Sequence, residues 1–318
     1  MIQPVNKNAT KEARTLLQYL ESIRGNGILT GLHTQTMAQE ELYYIQEVTG
    51  KLPALCGFEL LAYSPNINYA SCGEAALTEV EENKGTLQRA YEWAKKGGIL
   101  TFTWHWFSPI GGEDKAFYAE HTDFDATKVF IEGSPEREAF YHDMDVMADL
   151  LKGFQDKNIP ILWRPFHEAE GNWFWWGVKG MDVARDLYRE MFRYYTQEKH
   201  LDHLIWVWNN PKIEGYVGDE YCDIVTADWY PPKHEHTAMK SQCDALSMVS
   251  PSKPVAIGEI GTVPAISDMK EAGVDWLWFM MWSKVFVLTE EFNTKEEFRK
   301  QFNDTYAITL DKLPNSIK

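Results

Sequence analysis

The chain has 318 residues, of which 44% are apolar and 14% aromatic, and its formal net charge is −16 at pH 7. This length suits one barrel with insertions, and the apolar content can fill a sizeable core. The acidic charge argues against nucleic acid and anionic membranes as partners, because both are bound through Lys and Arg. The composition therefore predicts a soluble protein with an uncharged ligand.

The sequence contains no run of 18 or more apolar residues, so we expect no membrane-spanning helix. The first eight residues lack the apolar stretch of a secretory signal peptide. We therefore expect either a cytoplasmic protein or a mature form from which a leader has been removed.

Four cysteines occur, and none of them forms a C-x-x-C pair, so a structural zinc site is not expected. Several disulfide pairings are open in principle. We favour free and mostly buried thiols, because a core of this size needs no covalent cross-links. The cysteines are Cys56, Cys72, Cys222 and Cys243.

Apolar runs of strand length alternate with amphipathic helical patterns along the chain. Near-continuous apolar runs are typical of strands buried on both faces of a parallel sheet. Eight strands alternating with eight helices predict a (β/α)8 TIM barrel, formed as a single catalytic domain over residues 1–318. The predicted strands are Gly27–His33, Pro53–Glu59, Gly98–Trp106, Ile159–His167, Leu204–Asn209, Ile224–Tyr230, Pro254–Glu259 and Trp276–Ser283. The predicted helices are Lys11–Arg24, Gln39–Thr49, Lys84–Lys96, Pro135–Lys157, Met181–His200, His236–Val249, Ile266–Ala272 and Thr294–Asp304.

Start and stop signals support several of these boundaries. Ser134 can cap the fourth helix, with Pro135 at its first helical position. Gly97, Asn158 and Gly273 each precede a predicted strand and can end the preceding helix in a left-handed conformation. By contrast, the charge run Glu79–Lys84 is interpreted as a solvated surface.

Polar side chains gather at the carboxyl ends of the predicted strands, where the active sites of such barrels lie. Four tryptophans accompany them, and most of the other tryptophans are expected in the core. The polar group comprises His33, Glu59, His105, Arg164, His167, Glu168, Asn209, Asn210, Asp228, Tyr230 and Glu259. The accompanying tryptophans are Trp104, Trp106, Trp229 and Trp282.

Glu168 and Glu259 are the candidate catalytic pair, because glycoside cleavage needs one acid to protonate the leaving oxygen and one carboxylate to attack carbon or activate water. Different surroundings must keep them in opposite protonation states. Trp173, Trp175 and Trp176 follow Glu168 and could desolvate it, whereas the glycines beside Glu259 could leave backbone N–H groups free to stabilise its charge. The alternative is that each acid is an ordinary ion-pair partner.

Arg164 precedes Glu168 by four residues, so strand alternation places both on one face. It could hold a catalytic carboxylate charged, or form an ion pair that only lines the barrel. His105 and His167 end different strands and are candidates for substrate contact, although core or rim histidines are equally open.

Asp228 and Tyr230 share one face of the sixth strand. The acid can accept hydrogen bonds from sugar hydroxyls, and Tyr230 can donate one to a carboxylate nucleophile. Trp282, at the end of the eighth strand, offers a flat stacking surface for a sugar ring. A metal site built from the histidines with Asp228 is not favoured, because no predicted strand carries His-x-His spacing; we expect no metal and no cofactor.

The segment Arg164-Pro-Phe-His167-Glu168, with Trp173 five residues after the acid, resembles the acid/base segment of glycoside hydrolase family 26, the β-mannanase family. In the order that this family shows, His105 resembles a subsite histidine, Asp228 and Tyr230 a sugar-binding pair, and Gly258-Glu259 the nucleophile segment. Trp282 resembles the sugar platform of the last strand. The resemblance covers most of the chain.

This resemblance implies a retaining endo-β-1,4-mannanase that works without a cofactor, with Glu168 as acid/base and Glu259 as nucleophile. It also implies a polysaccharide or oligosaccharide substrate, a monomer, and an extracellular or periplasmic location. Two departures concern the outer subsites: Ser283 follows Trp282 where some members have a basic residue, and Glu170 adds an acid beside Glu168.

Several functional alternatives stay open on the sequence. Within the same fold, a lichenase-type β-glucanase or a xylanase is the nearest rival. A non-catalytic sugar-binding barrel and a metal-dependent barrel hydrolase are rivals of other classes. Endo and exo action are not distinguished.

Overall fold

Eight parallel strands close into a barrel in the computed structural model, which describes residues 2–35 and 38–317. Each strand pairs with the next along the chain, and β8 pairs with β1 to complete the (β/α)8 TIM barrel. A short ninth strand pairs with the first two residues of β1. The strands are β1 (Ile28–Thr34), β2 (Leu55–Glu59), β3 (Ile99–Thr103), β4 (Ile161–Arg164), β5 (Leu204–Asn209), β6 (Ile224–Trp229), β7 (Val255–Ile260), β8 (Trp278–Met281) and β9 (Ala307–Ile308).

The helices pack around the barrel, and all eight predicted helices are present, some of them shorter than predicted. One segment of π-helix, Tyr194–Glu198, extends the sixth helix. The helices are α1 (Lys11–Ile23), α2 (Glu40–Thr49), α3 (Glu74–Asn83), α4 (Thr86–Lys95), α5 (Pro135–Gln155), α6 (Met181–Arg193), α7 (Lys240–Ser247), α8 (Ile266–Ala272), α9 (Val285–Leu288) and α10 (Lys295–Phe302).

The local signals act as the sequence predicts. The Ser134 side chain accepts a hydrogen bond from the Arg137 N–H at the start of α5. Gly97, Asn158 and Gly273 all have positive φ angles of 83°, 58° and 63°, which end α4, α5 and α8.

The prediction missed two helices, because both lack a clear cap. The charge run Glu79–Lys84 is largely part of α3, a helix whose N-cap residue, Gly73, forms no side-chain capping bond. The four-residue helix α9 follows Lys284, whose φ of 56° marks an abrupt turn after the eighth strand.

Four strands, β3, β4, β6 and β8, are shorter than predicted at their carboxyl ends. β3 ends at Thr103 and β4 at Arg164, so His105 and Glu168 lie in the loops beyond. Two loop residues, Phe166 and Glu168, have positive φ angles of 54° and 53° and interrupt the extended backbone. The prediction that strand alternation carries Glu168 onto the face of Arg164 is therefore wrong.

Two apolar layers form the core. Side chains that point into the lower barrel, such as Leu55, Leu162 and Met280, form one cluster with the buried face of α1, which closes the bottom. Side chains on the outer faces of the strands form the second, with the surrounding helices. Period-2 alternation therefore fills the lower barrel with apolar groups and leaves the upper barrel to polar ones.

The four cysteines are free thiols, three of them buried and Cys72 half-buried, as predicted. Ten of the thirteen tryptophans are buried, so most of them belong to the core. Within the described ranges, no helix is both long enough and apolar enough to cross a bilayer.

Candidate active site

A buried guanidinium joins two acids at the top of the barrel interior. Arg164, the last residue of β4, donates to Asp228 Oδ2 at 3.0 Å and to Glu259 Oε1 at 2.5 Å. It also donates to Thr103 Oγ1 at 2.9 Å. All three charged side chains are at most 4% exposed. Removing one partner of such a buried pair costs about 3–5 kcal/mol, because the other charge is left unpaired.

Irregular pairing positions the two acids on neighbouring strands. The register between β6 and β7 shifts at Asp228, and that between β7 and β8 shifts before Ile260. Such bulges redirect side chains and occur next to active sites. A Cβ at Gly258 would lie 2.3 Å from Asp228 Oδ1 and 2.4 Å from Asn209 Nδ2, so only glycine permits this close packing.

Glu259 is held by side chains. Tyr230 donates its hydroxyl to Glu259 Oε2 at 2.7 Å, and Arg164 binds the other oxygen. Both partners stabilise negative charge on this carboxylate. The expected backbone N–H donors from the adjacent glycines do not supply these contacts: Gly258 packs against Asp228, and a Cβ at Gly261 would meet the ring of Phe286 at 2.8 Å.

Asp228 shares Arg164 with Glu259 and also accepts from Asn209 Nδ2 at 2.8 Å. Burial raises the pKa of Asp228 to about 7, and the charge of Glu259 adds to the increase, while Arg164 and Asn209 oppose it. One guanidinium thus binds two carboxylates.

Glu168 lies in the loop after β4, and its left-handed backbone directs the side chain back over the barrel. Its N–H donates to Asn209 Oδ1 at 3.1 Å, which fixes the turn. Trp173 donates its indole N–H to Glu168 Oε2 at 3.2 Å. Burial raises the pKa of Glu168 to about 9, and repulsion from Asp228 and Glu259 contributes, so this carboxyl favours the protonated form.

The tryptophans after Glu168 have different positions. Trp173 is 46% exposed and contacts the acid. Trp175 and Trp176 are fully buried and donate to the backbone oxygens of Trp106 and His167, at 2.7 and 2.8 Å. These two belong to the core beneath the loop, and their hydrogen bonds hold the loop in place.

The histidines beside the acids form a chain of hydrogen bonds. His105 Nδ1 lies 2.7 Å from Glu59 Oε2, and its Nε2 lies 3.2 Å from His167 Nε2. Burial opposes protonation of His105, but the charge and hydrogen bond of Glu59 outweigh it, so the pKa of His105 is raised. Burial and the nearby charges of His105 and Arg164 place the pKa of His167 well below its usual value.

His105 is therefore placed to face the cleft, whereas His167 is 1% exposed and lies behind it. Glu59, which orients His105, was recognised in the sequence only as a strand-end acid. Glu59 pairs with His105, which lies two residues after the end of β3, and this pairing depends on the register between β2 and β3.

Trp282 has a flat support beneath it. Its ring stacks on the imidazole of His33, with centroids 4.1 Å apart and planes at 27°. His33 is fully buried, and Trp282 is half-buried, so one face of the indole stays available above the barrel. Of the strand-end tryptophans, Trp104 and Trp106 are buried and stack on each other at 4.0 Å.

The candidate acids converge. One oxygen each of Glu168, Asp228 and Glu259 lie within 4.8 Å of one another. Such a cluster could hold a metal ion, but the Arg164 guanidinium already supplies a cation to two of its three members. Two opposed carboxyl groups at the mouth of a (β/α)8 barrel, one shielded from water and one bound by an arginine, define a glycoside-hydrolase type of site.

Comparison with known proteins agrees with this class. The sequence model of glycosyl hydrolase family 26 matches residues 5–312. A mannan endo-1,4-beta-mannosidase of Thermothelomyces thermophilus is 35% identical over 97% of this chain and 62% of its own length. The chain belongs to glycosyl hydrolase family 26.

Solved structures show the same fold. The Podospora anserina GH26-CBM35 β-(1,4)-mannanase has a TM-score of 0.89 and 31% identity, covering 100% of this chain and 70% of its own. A β-mannanase from a symbiotic protist of the termite Reticulitermes speratus, complexed with gluco-manno-oligosaccharide, has a TM-score of 0.88 and 29% identity, with 98% and 97% covered. The chain spans 62% of the Thermothelomyces relative, and 53% and 50% of two Piromyces relatives.

Proposed function

We propose that this protein is a retaining endo-β-1,4-mannanase that cleaves internal mannosidic bonds of mannan-type polysaccharides. The observation that carries the proposal is that Glu168 and Glu259 have different surroundings although their nearest oxygens lie within 4.8 Å of each other. A retaining pair needs carboxyl groups about 5–5.5 Å apart, whereas an inverting pair needs about 6.5–9.5 Å to admit a water molecule.

Glu168 is the proposed acid/base and Glu259 the proposed nucleophile. In the first step, Glu168 transfers its proton to the glycosidic oxygen as the Glu259 carboxylate bonds the anomeric carbon and the leaving sugar departs. In the second step, Glu168 takes a proton from water, whose oxygen attacks the anomeric carbon and displaces Glu259. The raised pKa of Glu168 suits the first proton transfer.

The other candidates are proposed to bind or position the sugar. Trp282, supported by His33, is the stacking platform beneath one sugar ring. His105, Trp173 and Asp228 offer polar groups to its hydroxyls. Tyr230 and Arg164 position the nucleophile, and His167 acts through its hydrogen bond to His105.

We propose mannan as the substrate, and not mixed-linkage glucan or xylan, because relatives that cover most of this chain are named mannan endo-1,4-beta-mannosidases. Because a polysaccharide cannot cross a lipid bilayer, we place the reaction outside the cytoplasm, which fractionation of the source cells can check. Hydrolysis is expected to survive dialysis against a strong chelator, since Arg164 serves the acids in place of a metal ion. Loss of activity that zinc or manganese restores, in protein that stays folded without the metal, would favour the metal-dependent alternative.

The experiment is reducing-sugar release from mannan, galactomannan, lichenan and xylan, with a Glu168→Gln variant as the control for contaminating enzymes. Mannan should be cleaved fastest, with a rapid fall in viscosity that marks internal cleavage. Proton NMR of the first product should show the β-anomer before mutarotation. Faster release from lichenan or xylan would reassign the substrate, and initial release of the α-anomer would exclude a covalent role for Glu259.

A further inference from the structure

Two imidazoles and one carboxylate form a second cluster outside the cleft. His234 and His236 lie in the loop after β6, and Glu297 lies in the first turn of α10. One potential ligand atom from each lies within 4.8 Å of the others. His234 Nδ1 is 3.4 Å from Glu297 Oε2, and His236 Nε2 is 2.6 Å from Glu297 Oε1.

The contacts of His236 determine where its proton lies. Its Nδ1 is 2.6 Å from the carbonyl oxygen of Val263, and a carbonyl can only accept, so Nδ1 carries the hydrogen. In the neutral ring, Nε2 then presents a lone pair. This buried nitrogen forms no hydrogen bond, and it faces a carboxylate oxygen of Glu297.

A lone pair and a carboxylate at 2.6 Å repel each other unless a positive charge lies between them. Either a proton or a divalent metal ion can supply this charge. Metal-binding histidines commonly donate their other N–H to a backbone carbonyl, which fixes the tautomer and the ring. His236 shows this arrangement with Val263.

The remaining ligands are also oriented by the fold. Glu297 accepts a hydrogen bond from the Thr294 N–H at 2.5 Å in the capping box of α10. The N–H of His234 donates to Phe292 O at 3.1 Å, and its φ of 60° turns the chain there. Its side chain is 42% exposed, which leaves room for a water molecule as a further ligand.

We propose that His234, His236 and Glu297 bind a divalent transition metal of the zinc class. Two imidazoles and a carboxylate with one open position form a donor set that zinc accepts, at bond lengths of about 2.0–2.2 Å. Tetrahedral geometry at these lengths separates ligand atoms by roughly 3.3–3.5 Å. The contacts at 3.4 and 2.6 Å use different oxygens of Glu297, so a rotation of its carboxylate is needed to bring one ligand oxygen to this distance from both imidazoles.

The proposed ion connects segments that carry the active site. Tyr230 lies four residues before His234, and Val263 lies four residues after Glu259. Binding would therefore link the loops after β6 and β7 to α10. The expected role is to stabilise these loops, and it does not depend on which polysaccharide is cleaved.

The test is thermal unfolding of chelator-treated protein with and without zinc chloride. At free zinc one hundred times the dissociation constant, the melting temperature should rise by about 4 °C for a chain of this size. Cobalt should give the visible absorption of a tetrahedral site. A His234→Ala/His236→Ala variant should lose both effects, and Glu297→Gln, which keeps an acceptor for Thr294, should weaken them.

His121→Ala is the matched control, since it removes another partly exposed histidine that lies beside a glutamate, 3.6 Å from Glu120. It should retain the full zinc effect. No rise in melting temperature and no cobalt spectrum would overturn the proposal and leave a proton-bridged His236–Glu297 pair. An equal rise in the double variant would assign the effect to other surface groups and would equally overturn it.

Discussion

Glu168 and Glu259 bear the same functional group but lie in opposite kinds of surroundings. Glu259 is 4% exposed in its side chain and is bound by a guanidinium and a phenol hydroxyl. Glu168 receives one indole N–H, and its nearest charges include two other carboxylates. Donors stabilise the charge of the first acid, whereas burial and repulsion oppose the charge of the second.

The difference shows how a barrel assigns two roles to one residue type. Glu259 projects from β7 next to a shift in strand register, where β4 brings Arg164, β6 brings Asp228 and the residue after β6, Tyr230, also reaches it. Glu168 lies past the end of its strand, in a left-handed turn of the loop, where Trp173 donates a hydrogen bond to its carboxyl group. Position relative to the strand end therefore decides which groups surround each carboxyl group.

The largest expected effect on activity comes from removing Glu259, the acid whose negative charge is bound by Arg164 and Tyr230. Glu259→Ala should lower kcat by at least about 10⁴-fold while oligosaccharide binding persists, because no other group can bond the anomeric carbon. Azide should restore part of the rate and yield the α-mannosyl azide. Steady-state kinetics and calorimetric binding provide the measurements, and a fluoro-sugar label on a different residue would reassign the nucleophile.

Removing the other acid should produce a loss that depends on the substrate. Glu168→Ala should slow mannan hydrolysis by about 10²–10⁴-fold, because the leaving oxygen needs a proton. Glycosides with acidic phenol leaving groups need little protonation and should lose far less in the glycosylation step. Rapid-mixing kinetics on both substrates make the comparison, and equal losses would contradict the acid/base role.

The smallest effect should come from Glu170, the additional acid. Its charge is one of the causes that raise the pKa of Glu168. A general acid loses its proton as pH rises through its pKa, so the alkaline limb of kcat/KM reports Glu168. Glu170→Gln should move that limb to lower pH by a fraction of a unit, while its bond from Asn210 can persist.

The matched control for that shift is Glu214→Gln, which neutralises an exposed acid in another loop and should leave the profile in place. A limb that moves equally in both variants would indicate a general effect of net charge. An unmoved limb in Glu170→Gln would show that the charge of Glu170 does not contribute to the raised pKa of Glu168.

Much of the architecture could be predicted from the sequence, because the signals are local. Continuous apolar runs mark the buried parallel strands, and all eight barrel strands lie within or next to the predicted ranges. Capping at Ser134 and left-handed ends at Gly97 and Gly273 depend on a few adjacent residues. The missed helix α3 lacks a side-chain cap, so no local signal marks its start.

Contacts between side chains on different strands of the barrel could not be predicted in the same way. Arg164 was expected near Glu168 from their spacing in the chain, yet it binds Asp228 and Glu259 on other strands. The His234-x-His236 spacing lies in a loop and not on a strand, and the third potential ligand lies about sixty residues further on, so strand patterns do not reveal this cluster.

The sequence by itself determined that this chain forms a (β/α)8 barrel with polar groups at its strand ends, because burial and alternation act over a few residues. Only the tertiary structure decided which of those groups meet. The register of neighbouring strands, the bulges at Asp228 and Glu259 and the left-handed turn at Glu168 set distances between residues far apart in the chain. Charge interactions depend on these distances, and therefore so do the different surroundings of the two acids.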